Sequence, residues 1–207
     1  MRRVFNVCLL VCALTVALPV HGAPLKLLML GDSLTAGYGL DKGESIPAQL
    51  QRALRAEGRD VVVINAGVSC DTSAGGLARL AWSLAENPDA VLVELGANDG
   101  LRGLDPQQTY RNLDAILRQI RDAGTPVLLA GMLAPPNLGR EYGDEFNAIY
   151  PRLAKENGIP LYPFFLEGVA AVPELNQDDG IHPNAAGVGV VVRSILEPVR
   201  RLLAEAQ

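Results

Sequence analysis

Two kinds of apolar pattern alternate along the chain. Short continuous apolar runs, rich in leucine and β-branched residues, are typical of strands that are buried on both faces. Between them, apolar residues recur every three or four positions, as they do on one face of an amphipathic helix. The predicted strands are residues 26–30, 61–65, 90–95, 127–132 and 160–164. The predicted helices are residues 46–54, 77–84, 110–120, 146–153 and 184–206.

This alternation predicts an α/β protein. Strands that alternate with helices form a parallel sheet, because each helix carries the chain back to the start of the next strand. We therefore expect a three-layer α/β/α architecture, with a five-stranded parallel sheet between helices on both faces. In such sheets ligands bind beyond the carboxyl ends of the strands, so the residues that follow each strand are candidates for chemistry.

The first 23 residues have a pattern of their own. A pair of arginines precedes an apolar run at residues 7–18, and small residues follow at positions 22 and 23. This is the order of a secretory signal peptide, and the run is shorter than the about 20 residues of a membrane span. We expect residues 1–23 to be removed, residues 24–207 to form a single domain, and the protein to be periplasmic or secreted. An uncleaved membrane anchor is the alternative.

Charge and metal-ligating residues narrow the range of functions. The sequence has 207 residues and a net charge of −5, which provides no basic surface for nucleic acid. Without residues 1–23, the chain keeps one cysteine, Cys70, and one histidine, His182. A single cysteine forms no internal disulfide, and zinc sites draw on several His or Cys ligands. We therefore expect no metal, no cofactor, no nucleic-acid partner and no membrane insertion after the leader is removed. We also expect a monomer.

Polar residues follow four of the predicted strands. Ser33 comes after the first strand, residues 65–71 after the second, residues 96–99 after the third, and residues 178–183 after the fifth. Because the carboxyl ends of parallel strands lie at one edge of a sheet, we expect these segments to meet in one cleft. A serine, a histidine and an aspartate at such an edge suit the nucleophile, the base and the orienting acid of covalent hydrolysis.

Each of these residues alone has an ordinary structural explanation. A Gly-Asp-Ser sequence is a common turn, and Asn98 between glycines suits a left-handed backbone. Asp179 suits the capping of the helix that follows. A single histidine is often structural. Their joint position at the strand ends, in this order, favours catalysis.

The motifs resemble those of the SGNH hydrolases, which are also called the GDSL lipase/esterase family. Gly-Asp-Ser-Leu at residues 31–34 resembles the first family block, Gly-Ala-Asn-Asp at residues 96–99 the third, and Asp-Gly-Ile-His-Pro at residues 179–183 the last. The stretches DTSAGGLARL, VLVELGANDGLRGL, AIYPRLAKE and QDDGIHPN resemble the bacterial thioesterase I, lysophospholipase and arylesterase branch. The resemblance covers nearly all of residues 24–207 and implies the flavodoxin-like SGNH hydrolase fold.

The resemblance also implies a role for each matching residue. Ser33 is the nucleophile, His182 is the general base and acid, and Asp179 orients the imidazole. Asp178 is adjacent to Asp179, but the family spacing selects Asp179. The oxyanion binds the Ser33 backbone N–H, the Asn98 side-chain amide and one backbone N–H of the second block. One such donor typically contributes ~10²–10³ in turnover.

Position 70 departs from the family pattern. The branch usually has glycine where this sequence has Cys70, and the N–H of that glycine is the donor. A backbone N–H does not require glycine, so we expect Cys70 to supply the third donor of the oxyanion hole. The thiol then lies beside the cleft, or it is buried and inert, as free cysteines often are.

Apolar residues beyond the third and fourth strands are candidates for substrate binding. Leu101 and Leu104 follow Asn98 and are expected to form a lip over the cleft. Met132 and Pro135 follow the fourth strand and are expected to wall an apolar groove. Ordinary packing in loops and core is the alternative for both segments.

The resemblance implies an exported serine esterase that hydrolyses acyl esters through an acyl-enzyme. The expected substrates are small-molecule acyl esters and lysophospholipids, with arylesterase and acyl thioesterase activity as well. An exported enzyme meets lysophospholipids rather than coenzyme A thioesters, so esters are favoured. Two alternatives remain: a carbohydrate O-acetylesterase, which would share the triad, and a flavodoxin-like binding protein with impaired catalysis, which the departure at Cys70 would explain.

Overall fold

The computed structural model of the protein describes residues 23–206, which form alternating strands and helices. The predicted signal peptide at residues 1–23 lies outside the described residues, apart from Ala23. The strands are β1 (Leu25–Gly31), β2 (Val61–Gly67), β3 (Ala90–Glu94), β4 (Val127–Ala130) and β5 (Leu161–Tyr162). The helices are α1 (Ser33–Ala36), α2 (Ile46–Ala56), α3 (Ser73–Leu84), α4 (Ala97–Leu101), α5 (Pro106–Asp122), α6 (Arg140–Asn147), α7 (Ile149–Asn157) and α8 (Ala185–Glu205).

The strands form one parallel sheet in the order β2-β1-β3-β4-β5. Helix α2 packs against α8, while α3 packs against α5 and α5 against α7. The predicted α/β/α architecture with a five-stranded parallel sheet is therefore confirmed. No helix within residues 23–206 is long and apolar enough to cross a bilayer.

The sheet lies at the centre of the hydrophobic core. The apolar side chains at residues 27–30 of β1 are fully buried, and every residue of β3 is buried as well. These are the central strands, and helices cover both of their faces, so their sequences are continuously apolar rather than alternating. The outer strand β2 instead alternates buried and half-buried residues over its first four positions.

The register of the strands brings three strand ends to one level. Gly31 at the end of β1 is paired with Gly67 of β2 on one side and with Glu94 of β3 on the other. The chain leaves β1 toward β2 but leaves β2 toward β3, on the opposite side of β1, so the strand order reverses there. A crevice opens at such a switch point, beyond the carboxyl ends of the strands.

Two short helices were not predicted by the apolar pattern. Helix α1 begins at Ser33 and helix α4 begins one residue before Asn98, and each has fewer residues than the pattern needs to repeat. The segment predicted as one helix at residues 146–153 is divided at Ala148 between α6 and α7. The fifth strand is shorter than predicted and ends before Pro163, which has no N–H for the sheet.

Candidate active site

Ser33 is held by a tight turn at the end of β1. It is the first residue of α1, and the carboxylate of Asp32 caps this helix by accepting a hydrogen bond from the Leu34 N–H at 3.0 Å. Gly37 follows the last residue of α1 and has a left-handed φ of 85° that glycine adopts without strain. Ser33 is thereby placed at the floor of the crevice, with 8% of its surface exposed.

His182 connects Ser33 to Asp179. Its Nε2 lies 2.9 Å from Ser33 Oγ, and its Nδ1 lies 2.7 Å from Asp179 Oδ2. A neutral imidazole with its proton on Nδ1 donates to Asp179 and leaves Nε2 to accept from the Ser33 hydroxyl. The geometry therefore allows the serine proton to pass to the histidine.

The Asp179 carboxylate is also bonded to its own loop. Its Oδ1 accepts from the backbone N–H groups of Ile181 and His182, both at 3.0 Å. Desolvation raises the pKa of Asp179, but the hydrogen bonds from the His182 ring and from these two backbone groups outweigh it, so the pKa is lowered. The carboxylate is thus kept ionised beside the imidazole.

Two residues that the sequence did not single out fix the histidine loop. Gln177 donates from Nε2 to the carbonyls of Tyr38 and Pro183, at 2.8 and 3.0 Å, which joins this loop to the segment that follows Ser33. Asn184 caps α8 by accepting from the N–H groups of Ala186 and Gly187, both at 3.0 Å. The loop therefore has an anchor on each side of His182.

Tyr38 packs against the imidazole at a tilt. The centroids of the Tyr38 and His182 rings are 4.7 Å apart, with 39° between the ring planes. Both residues line a small pocket that reaches Ser33. The other residues of its wall are Leu34, Gly37, Leu40, Pro183 and Val188.

The three predicted oxyanion donors follow three adjacent strands. Ser33 follows β1, Cys70 follows β2, and Asn98 follows β3. The backbone N–H groups of Ser33 and Cys70 donate to no other group within residues 23–206. Asn98 Nδ2 donates to the Asp71 carbonyl at 2.9 Å and lies 3.2 Å from Asp32 Oδ2.

Cys70 has a backbone conformation that favours glycine. Its φ is 67°, in the left-handed region, where an L side chain crowds the backbone. Cys70 is exposed, so the alternative of a buried, inert thiol is wrong. Arg102 Nη2 donates to the Cys70 carbonyl at 2.8 Å and thereby connects this loop to the residues after α4.

Two carboxyl groups are buried beneath the turn that carries Ser33. Glu94 accepts at Oε2 from the Thr35 hydroxyl at 2.8 Å, while its Oε1 has no hydrogen-bond partner among the described residues. Burial raises the pKa of Glu94 well above its usual value, and the charge of Asp32 raises it further. Burial also raises the pKa of Asp32, to about 6, against the opposing hydrogen bond from Leu34. The low polarity of this site disfavours two negative charges side by side.

The predicted substrate-binding residues differ in exposure. Leu101 is 49% exposed and Leu104 is 40% exposed, so both present apolar side chains to solvent beyond β3. Met132 is 3% exposed and belongs to the hydrophobic core, whereas its neighbour Leu133 is 49% exposed. Pro135 is half-buried. In the segment after β4, Leu133 rather than Met132 offers an apolar side chain to a ligand.

The sequence matches the GDSL-like Lipase/Acylhydrolase family over residues 29–190. The matched segment includes Ser33, Cys70, Asn98, Asp179 and His182. More than half of the chain therefore corresponds to the family pattern, and the match includes every strand end that meets at the crevice.

The individual relatives carry the names of esterases and thioesterases. The chain is 49% identical over 159 residues to an arylesterase of Vibrio mimicus, which covers 76% of this chain and 80% of that protein. It is 50% identical over 159 residues to "Thioesterase 1/protease 1/lysophospholipase L1" of Escherichia coli K12, covering 76% of this chain and 75% of that protein. The crystal structure of AlinE4, an SGNH-hydrolase family esterase, superposes with a TM-score of 0.75 at 49% identity, covering 88% of this chain and 98% of that one.

The buried acid Glu94 predicts a pH dependence of stability. Its pKa lies above the usual 4.5, so the folded state keeps a proton that the unfolded state loses as the pH rises above this value. The free energy of unfolding therefore falls with rising pH above about 4.5, and Glu94→Gln removes this contribution. Urea unfolding of both proteins between pH 4.5 and 8 measures the difference in slope.

Glu57→Gln is the control, because Glu57 is exposed and the hydrogen bond from Arg200 lowers its pKa. Its contribution has the opposite sign and is lost as the pH falls. A Glu94→Gln profile parallel to that of the unsubstituted protein would show that Glu94 is ionised in the folded state.

The left-handed backbone at Cys70 predicts that Cys70→Gly stabilises the protein. An L-residue in this conformation costs roughly 1–2 kcal/mol, and the larger unfolded-state entropy of glycine offsets about 0.5–1 kcal/mol of the gain. We expect the free energy of unfolding to rise by about 0.5–1 kcal/mol, measured by urea denaturation. Cys70→Ala keeps the Cβ atom and should give no such gain, and equal effects of the two substitutions would contradict the strain.

Proposed function

The chain belongs to the GDSL-like lipase/acylhydrolase family and is a serine hydrolase acting on ester bonds, and from this premise we propose that Ser33, His182 and Asp179 are its catalytic triad. The observation that carries the proposal is the hydrogen-bonded series from Ser33 Oγ through the imidazole to Asp179. The same relatives argue against the alternative of a binding protein without catalysis.

Acylation begins with the Ser33 hydroxyl. As Ser33 Oγ attacks the acyl carbonyl, His182 Nε2 takes its proton and becomes an imidazolium. Asp179 stabilises that cation through Nδ1 and keeps the ring in the required tautomer. His182 then gives the proton to the leaving oxygen or sulfur, and the acyl group remains on Ser33.

Deacylation repeats these steps with water as the nucleophile. Nε2 takes a proton from water, the hydroxide attacks the acyl-enzyme, and Ser33 leaves with the proton that His182 returns. Tyr38 stays against the imidazole face in this scheme, where an aromatic ring stabilises the transient imidazolium.

The oxyanion is bound by Ser33 N–H, Cys70 N–H and the amide of Asn98. The two backbone groups have no competing acceptor within residues 23–206. One hydrogen of Asn98 Nδ2 is committed to the Asp71 carbonyl at 2.9 Å. The other hydrogen makes the longer 3.2 Å contact to Asp32 Oδ2. The oxyanion that forms in the transition state is a stronger acceptor, and it shares this hydrogen with Asp32 or takes its place.

The exposed apolar side chains support acyl substrates. Leu101 at the end of α4, and Leu104 and Leu133 in the loops beyond β3 and β4, are exposed at the sheet edge where Ser33 lies. Apolar surface at a cleft favours binding of alkyl chains through the hydrophobic effect. We therefore propose that the enzyme hydrolyses carboxylic esters, including aryl esters and lysophospholipids, and acyl thioesters in vitro. Residues 1–23 support export to the periplasm or the medium, with the domain beginning near residue 24.

The identity of the nucleophile predicts a loss of activity with one substitution. Ser33→Ala removes the group that forms the acyl-enzyme, so hydrolysis should fall to background with every substrate. A p-nitrophenyl ester series from acetyl to palmitoyl, together with lysophosphatidylcholine, measures both the activity and the acyl preference. An organophosphonate should label Ser33 in the active enzyme, as mass spectrometry of the peptides would show.

Hydrolysis that persists in Ser33→Ala would reject the proposed mechanism. Activity on acetyl esters alone, with none on longer chains or lysophospholipid, would instead indicate the carbohydrate O-acetylesterase alternative. That result would not contradict the proposed triad.

Substitution of the two adjacent aspartates, Asp178 and Asp179, is expected to have different effects on kcat. Asp179→Asn reverses the hydrogen bond to Nδ1 and favours the wrong tautomer of His182, so kcat should drop by roughly 10⁴. Asp178→Asn is the matched control, because Asp178 is exposed and makes no hydrogen bond to the imidazole within the described residues. Its kcat should stay within about twofold of the parent, given that isolated surface substitutions have small effects. The reverse pattern of losses would assign the orienting role to Asp178.

A further inference from the structure

Arg79 joins the segments that carry the three oxyanion donors. Its Nη2 donates to the Gly31 carbonyl at 2.8 Å, two residues before Ser33, and its Nη1 donates to the Ala66 carbonyl at 2.8 Å, at the end of β2. Its Nε donates to Asp71 Oδ2 at 2.7 Å, next to Cys70. The fixed fork of a guanidinium is suited to holding three acceptors in one geometry.

Asp71 carries this connection to the third donor. Its backbone carbonyl accepts from Asn98 Nδ2 at 2.9 Å, so the position of Asp71 determines where the amide hydrogens of Asn98 point. The Asp71 carboxylate lies against the start of α3, where a Cβ atom on Gly75 would be 1.8 Å from Asp71 Oδ1. Only glycine allows this approach.

The Arg79–Asp71 pair is largely shielded from water. The Arg79 side chain is 18% exposed and the Asp71 side chain is 15% exposed. A charge-assisted hydrogen bond in such surroundings is stronger and better directed than an exposed ion pair. The pair is therefore able to hold Asp71 in place, although its neighbour Cys70 has a strained, left-handed backbone conformation.

We infer that Arg79, through Asp71 and the carbonyls of Gly31 and Ala66, is the positioning residue that sets the mutual geometry of the oxyanion donors. It does not touch the substrate. Misplacement of donors weakens binding of a charge that exists only in the transition state, so the loss appears in kcat and not in KM. This inference depends on the oxyanion hole proposed above.

A double-mutant cycle with Asn98 tests the inference. Arg79→Lys keeps the charge but replaces the fork by a single ammonium group, and we expect kcat to fall on the order of 10–100-fold with KM within about twofold. Asn98→Ala alone should lower kcat by roughly 10²–10³. Because Arg79 acts partly through Asn98, the fold loss from Arg79→Lys should be clearly smaller in the Asn98→Ala background than in the parent.

Arg200→Lys is the matched control. Arg200 pairs with Glu57 and Glu197 on the surface, outside the site, so its replacement should leave kcat unchanged. Circular dichroism and urea unfolding of each variant verify that the proteins compared are folded. Where Arg79→Lys does not fold, Asp71→Ala replaces it in the same cycle, because it releases Arg79 Nε while keeping the carbonyl that accepts from Asn98.

The outcomes separate the two proposals. Full activity of Asn98→Ala would reject the proposed oxyanion hole. A large loss of kcat in Asn98→Ala, combined with an unchanged kcat in folded Arg79→Lys, would overturn the role of Arg79. It would not contradict the proposed oxyanion hole. Strictly multiplicative losses in the cycle, or a loss confined to KM, would also overturn the role of Arg79.

Discussion

The site depends on the backbone pairing of β1 with its two neighbours. The hydrogen bonds of these ladders set Gly31, Gly67 and Glu94 side by side, so that three chain segments leave the sheet at one level. Each segment then has only a few residues before its functional group. Ser33 comes two residues after Gly31, Cys70 three after Gly67 and Asn98 four after Glu94. A shift of one strand by a single residue would displace one of the three proposed oxyanion donors by about 3.3 Å and disrupt their arrangement.

Polar and charged groups lie directly below the ends of β1, β2 and β3. Glu94 and Asp32 lie fully buried under the turn that carries Ser33, and Arg79 lies between the ends of β1 and β2. An apolar core would have packed here with less electrostatic cost. The polar groups supply directed hydrogen bonds that apolar side chains lack, and such bonds fix the orientation of a turn rather than merely filling space.

The fold and the candidate site differed in how far the sequence predicted them. The central strands were predicted closely because their apolar runs are continuous, and the site segments followed because parallel strands bring their carboxyl ends together. Helix α1 was missed since four residues cannot show a helical period. Met132 was misjudged because sequence position does not give side-chain direction, and it packs inward. Arg79 carries no motif of its own, and only the folded chain brings its acceptors within reach.

His182 and Asp179 depend less on the sheet than the other residues of the site do. Asp179 and His182 lie three residues apart in one loop, and their contacts to each other form within that loop. The proposed base and its proposed orienting acid thus form one unit, because the hydrogen bonds between them lie within a single loop. A change in the length of the connections between the earlier elements would leave the contact between His182 and Asp179 unchanged, as long as Gln177 and Asn184 still anchor the loop beside Ser33. The loops beyond β3 and β4 are therefore places where the chain could be redesigned for another ligand while the contact between His182 and Asp179 is kept.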